Sequence, residues 1–213
     1  MFISFEGIEG CGKTTQVTRL ADRLEALNIS VVTTREPGGT PAGEEVRRVL
    51  LDARNKNLSP IAELFLYAAD RAQHVQEVIS PALVQGKWVL CDRYLDATTV
   101  YQGYSRGLDM DLVRLLNKTA TGGLLPDMTF LLDCPVEVGL GRALTRNRTM
   151  EQEDQGRFEM EEKRFHESVR EGYLKLAETE KERFVLIDAS LNENEMEALI
   201  FSHIKPMLGA QER

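Results

Sequence analysis

The residues Gly7-Ile8-Glu9-Gly10-Cys11-Gly12-Lys13-Thr14 carry the spacing G-x-x-x-x-G-K-[ST], and phosphate chemistry gives each fixed position a reason. Gly7 and Gly12 let the backbone turn tightly and approach a ligand with no Cβ in the way. Successive backbone N–H groups then face one concavity and bind an anion. Lys13 adds a point charge for β- and γ-phosphates, and the Thr14 hydroxyl is a ligand for Mg²⁺. With Thr15 opening a helix, the helix dipole points at the same phosphates. Gly7 to Thr15 is therefore the candidate site for ATP.

Asp92 closes an apolar run, the position from which a carboxylate holds Mg²⁺ directly or through water. The plainer reading is local pairing with Arg93. Arginines form two groups, Arg35, Arg71 and Arg93 near strand ends, and Arg142, Arg146, Arg148 and Arg157 further along the chain. Guanidinium groups match phosphate oxygens bidentately and keep their charge. A phosphate loop with two arginine groups suits a site holding two phosphorylated molecules. Arg47, Arg48, Arg164 and Arg170 read as solvated faces. The segment 146–157 has few apolar residues and no period, and reads as a mobile lid. Such a lid closes over ATP, carries arginines to the transferred phosphoryl group and expels water, a competing acceptor. Glu9 is out of place among phosphates unless it faces a hydroxyl donor across the cleft, or solvent.

These residues need elements to position them. Phe2–Phe5, Ser30–Thr34, Lys87–Cys91, Met128–Leu132 and Phe184–Ile187 are short β-prone runs. Between them lie helical patterns over Thr15–Ala26, Pro41 to about Asp52, Ile61–Ile79, most of 95–120 outside Gly103–Gly107, Pro135–Leu144, Phe158–Ala177 and Glu193–Leu208. In the first, Val17, Leu20, Ala21, Leu24 and Leu27 form the inner stripe. Alternation of this kind predicts an α/β fold of three layers, a five-stranded parallel sheet flanked by helices. Ligands then bind at the carboxyl ends of the strands. That rule brings together the glycine loop, Arg35-Glu36-Pro37, Asp92-Arg93-Tyr94 and Asp133-Cys134-Pro135.

The bulk numbers narrow the function further. The 213 residues suit a single domain spanning 1–213 with a sizeable core. A net charge of −8 with no long basic run argues against a nucleic-acid or anionic-membrane surface. No run is long and apolar enough to span a membrane, and no secretory leader is expected. Three scattered cysteines and three scattered histidines read as reduced thiols in a cytoplasm, with no cysteine–histidine metal site.

At Phe5-Glu6-Gly7 through Gln16, Arg35-Glu36-Pro37-Gly38-Gly39-Thr40, Leu64–Arg71, Asp92-Arg93-Tyr94 and Val100-Tyr101-Gln102-Gly103, the chain resembles the bacterial thymidylate kinases, in order and spacing from about residue 2 to 188. The resemblance implies ATP- and Mg²⁺-dependent conversion of dTMP to dTDP, the P-loop kinase fold and a homodimer through helices away from the cleft. By motif match, Phe65 stacks on thymine and Arg71 bonds its edge. Arg35 and Arg93 bind the dTMP phosphate, with Glu36 and Pro37 beside them. Glu9 reaches the deoxyribose 3′-hydroxyl or the acceptor phosphate, Tyr101 fills the place of a ribose 2′-hydroxyl, and Thr98 and Gln102 finish the base pocket. Arg142 falls on the ATP side, and a lid arginine serves catalysis with Lys13, Asp92 and Arg93, Arg148 being put forward while Arg146 and Arg157 stay open. The chain departs from the family at Ala97, where serine is usual. On residues alone two rivals stay open, a deoxynucleoside kinase using Glu36 or Glu9 as base, and a nucleotide-dependent switch.

Overall fold

The computed structural model describes residues 1–149, 157, 158 and 160–208, with the backbone alone at 146–149. Its strands are β1 (Phe2–Glu6), β2 (Val31–Arg35), β3 (Trp88–Asp92), β4 (Met128–Asp133) and β5 (Phe184–Asp188). They form one parallel sheet in the order β2-β3-β1-β4-β5. The three inner strands are apolar and buried almost end to end, as strands covered on both faces must be, while β2 and β5 are half-exposed edges. Register aligns the carboxyl ends, with Phe5 and Arg35 each opposite Asp92, and Glu6 opposite Leu131.

The helices are α1 (Lys13–Ala26), α2 (Pro41–Leu51), α3 (Pro60–His74), α4 (Ser80–Val84), α5 (Leu95–Thr98), α6 (Met110–Thr121), α7 (Val136–Thr149), α8 (Lys163–Thr179) and α9 (Glu193–Leu208). Local chemistry starts several of them. Thr40 and Ser59 cap α2 and α3 through their hydroxyls, each with proline in the first turn, and Asp109 caps α6. Two stretches of wider π-type turns follow, Val75–Ile79 after α3 and Thr99–Ser105 after α5. The second carries Tyr101 and Gln102 into the cleft, a placement such turns serve at functional sites.

Three expectations are corrected. Leu27 is not on the inner stripe of α1 but half exposed at its end, because Asn28 takes φ 61° and turns the chain away. Helix α7 runs on to Thr149 and takes in the first part of the segment read as a lid. Residues 142–149 contain no glycine or proline, so a missing apolar period did not end the helix. The remainder of that segment, 150–156, lies outside the described residues. Helix α8 begins at Lys163 rather than Phe158, because Arg157 and Phe158 are held in a turn by tertiary contacts, among them the Arg157 amide on the Leu51 carbonyl at 3.4 Å. Among the described residues no helix is long and apolar enough to cross a membrane.

Candidate active site

A cleft of about 510 Å³ opens at the carboxyl ends of β1, β2 and β3. Its first wall is the glycine loop. Gly7, Gly10 and Gly12 all have positive φ, and a Cβ on Gly10 would run into the Gly139 carbonyl in α7. Only glycine fits there. The side chains of Ile8 and Cys11 are buried in the core, so the loop offers a ligand its backbone. Lys13 folds back on the loop, its Nζ donating to the carbonyls of Gly7 (3.1 Å) and Ile8 (2.7 Å). The Thr14 hydroxyl donates to Asp92 Oδ2 at 2.5 Å. Thr15 sits in the first turn of α1, where no acidic side chain opposes an anion.

Between the walls stand Glu9 and Arg93. Arg93 has φ 70°, a conformation disfavoured for a side chain of its size and characteristic of functional sites. Its guanidinium donates to the Gly7 carbonyl (2.9 Å), the Tyr173 hydroxyl (3.2 Å) and Glu9 Oε1 (3.1 Å). Tyr101 donates to the same Oε1 at 2.6 Å and its ring lies 5.0 Å from the Arg93 guanidinium. Burial alone would raise the Glu9 carboxyl, but His166, Arg93, Lys13 and Tyr101 outweigh it and hold it well below the usual range. Glu9 is thus turned into the cleft and not to solvent.

The acceptor wall is a buried side-chain network. Arg71 donates through Nε to Glu36 Oε2 (2.8 Å), through Nη1 to Asn117 Oδ1 (2.8 Å), and through Nη2 to the Thr98 hydroxyl (3.0 Å) and Tyr94 carbonyl (3.2 Å). A guanidinium has five N–H groups, so one on Nη1 is outside these four bonds. Glu36 Oε1 accepts from His74 Nδ1 at 2.9 Å, and His74 Nε2 lies 2.6 Å from the Thr34 hydroxyl. A Cβ on Gly39 would collide with that imidazole. Beneath, Asp70 accepts from the Gly38 amide at 3.0 Å, and burial, helped by the Glu36 charge, raises its pKa to about 6.

Compared with known proteins, residues 5–200 match the family model described as thymidylate kinase. The thymidylate kinase of Desulfosudis oleivorans is 59% identical over 190 residues, 89% of each chain. That of Geotalea daltonii is 57% identical over 195 residues, 91% of each. The chain belongs to the thymidylate kinase family. A solved thymidylate kinase from Ehrlichia chaffeensis shares the fold with a TM-score of 0.76 and 34% identity, covering 96% of this chain and 98% of that one.

Within this family site the structure sorts the expected residues. Glu9, Gly10, Lys13, Thr14, Arg35, Glu36, Pro37, Arg71, Asp92, Arg93, Thr98, Tyr101 and Gln102 all meet at the cleft. Phe65 does not; it stands 53% exposed, off the cleft. Tyr67, four residues before Arg71 and so on its helical face, takes the place on the wall. Arg142 donates to the Ala189 carbonyl at 3.0 Å and is off the cleft. Arg157 is buried, paired with Glu63 Oε2 at 2.6 Å and bonded to the Leu50 carbonyl, and is off the cleft lining. The side chains of Arg146 and Arg148 lie outside the described residues. The stretch Asp133–Pro135 stays off the cleft, with Asp133 in a two-bond pair with Arg170 (2.6 and 2.7 Å).

Several residues were missed. Arg47, read as solvated, lines the cleft and donates to the Pro37 carbonyl at 2.9 Å; burial and the neighbouring Arg35 lower its pKa. Its place at i+3 from Glu44, which pairs with Arg35 at 2.6 Å, was the available signal. Glu63, gathering Gln102, Arg106 and Arg157, and His166, facing Glu9 from α8, had no signal in the sequence. Ala97 also lines the cleft, and the adjacent Thr98 hydroxyl already accepts from Arg71.

Proposed function

We propose that the chain transfers the γ-phosphoryl group of ATP to the phosphate of dTMP, giving ADP and dTDP. The observation that carries this is the second wall. Beside a phosphate loop, Arg71 and Tyr67 frame a buried pocket with one spare N–H, suited to the edge of a flat base. A nucleotide switch has no use for such a pocket.

Charge sets the mechanism. The acceptor phosphate is largely dianionic at neutral pH, with a second pKa of about 6, and is nucleophilic without a base. The obstacle is bringing two anions together. Lys13, Arg93, Arg35 and Arg47 line the path and offset that repulsion. One neutral and one charged oxygen, from Thr14 and Asp92, fit Mg²⁺ that keeps water and phosphate oxygens as its other ligands. An ion held there would neutralise charge on the β- and γ-phosphates. A hydroxyl acceptor would instead need a carboxylate free to take a proton. Glu36 is locked between Arg71 and His74, and the lowered Glu9 is a weak base.

We place the protein in a cytoplasm, on the free thiols of Cys11, Cys91 and Cys134. We also propose a homodimer through α3 and α6, whose exposed Ile61, Phe65 and Leu115 lie away from the cleft.

Coupled measurement of ADP release with ATP·Mg²⁺ and dTMP, dUMP, UMP, dCMP, AMP or thymidine tests the reading. Turnover with dTMP well above UMP and thymidine is expected. Preference for thymidine would overturn it.

A further inference from the structure

His166 is fully buried on α8, and neither ring nitrogen has a hydrogen-bond partner. A buried polar group left unpaired costs free energy, so this ring calls for an explanation. Its Nδ1 lies 3.3 Å from Glu9 Oε2, close enough to help hold that carboxyl low but without the alignment of a formed hydrogen bond, and that oxygen is also buried and without another partner. The other carboxylate oxygen, Oε1, is doubly served by Arg93 and Tyr101. Two unsatisfied groups therefore face each other on the side of Glu9 away from Arg93.

We propose that His166 is a positioning residue for Glu9, whose buried ring supplies the donor that replaces Arg93 when an acceptor phosphate draws that guanidinium away. This rests on the dTMP kinase reading of the cleft. Arg93 is now held by two neutral acceptors and Glu9. A phosphate offers it bidentate, doubly charged acceptance and competes well for it. Once Arg93 turns, Glu9 keeps only Tyr101, while a new anion stands nearby and repels it. A small rotation of the imidazole aligns Nδ1–H with Oε2 and holds the carboxylate toward the acceptor. The Phe165 ring edge packs 5.7 Å from the imidazole, and Lys13 adds its field at Glu9.

The test uses the full chain labelled with ¹⁵N-histidine, the His166 signals being those lost in His166→Phe. Adding dTMP, and separately inorganic phosphate, should move Nδ1 to a hydrogen-bonded donor position in the wild type and leave it unmoved in Glu9→Leu, which has no acceptor there. If phosphate moves the signal but dTMP does not, the dTMP reading fails and the positioning role stands. If neither moves it, the positioning role fails. In kinetics, loss of one hydrogen bond to a charged group predicts about a tenfold rise in KM for dTMP in His166→Phe. KM for ATP and kcat should stay within about twofold, His166→Asn should recover most of the loss, and the change should vanish in a Glu9→Leu background. A rise in both KM values together, or full additivity with Glu9→Leu, would overturn the role.

Discussion

On the donor wall of the cleft the ligand-facing groups are backbone amides, with Lys13 resting on the carbonyls of Gly7 and Ile8. On the acceptor wall they are side chains already engaged with one another, and Arg71 has four partners before any ligand arrives. The donor wall can rearrange cheaply, since Lys13 exchanges two neutral acceptors for phosphate. The acceptor wall is set by folding, because moving Arg71 would leave the buried Glu36 with only its His74 contact. One wall is built to move charge, the other to hold shape, and substitutions should separate the two.

The widest separation is in turnover. Lys13→Ala should lower kcat by about a thousandfold or more, the scale of losing a main electrostatic stabiliser of the transferred group, while thermal unfolding shifts little. Arg71→Ala should do the reverse in stability. Removing the permanently charged partner of buried Glu36, which then keeps only its His74 contact, costs about 3–5 kcal/mol, which a melting experiment would read as a drop of roughly 10 °C. A melting point within a degree of the wild type would show that the acceptor wall is not preset.

A third probe reads the acceptor wall by pH. Asp70 titrates near 6 in the folded chain, above its ordinary 3.8. A raised carboxyl contributes stability below the unfolded pKa, and that contribution is lost as pH rises through the folded value. Asp70→Asn should therefore gain on the wild type between about pH 4 and pH 6, by on the order of 3 kcal/mol. Denaturant midpoints across that range decide it, and parallel curves would be evidence against the shift. The smallest effect distinguishes two faces of α3. Tyr67→Ala should raise KM for dTMP about tenfold, the worth of one stacking ring, with Phe65→Ala within about twofold. The opposite ranking would restore Phe65 to the base.

The contrast between walls also explains what the sequence disclosed. A phosphate loop is made by glycines at fixed spacing, so Gly7, Gly12, Lys13 and Thr14 were legible along the chain, as were the five strands and their order of alternation with helices. The acceptor wall depends on which face of a helix meets which loop. Phe65 and Tyr67 lie two residues apart; the spacing puts Tyr67 on the face of Arg71, and the fold shows that this face is the one lining the cleft. Arg157 looked like its arginine neighbours, and Glu63, far away in sequence, decides where it goes. His74 and Asn117 join the site through packing, which leaves no local pattern.

The division of the cleft into two independently built walls is tested most directly by calorimetric titration of dTMP into wild type and Lys13→Ala without ATP. Equal affinity within about threefold, beside the lost turnover of the variant, is the predicted result. A parallel collapse of dTMP affinity would contradict the account, since Lys13 would then belong to both walls.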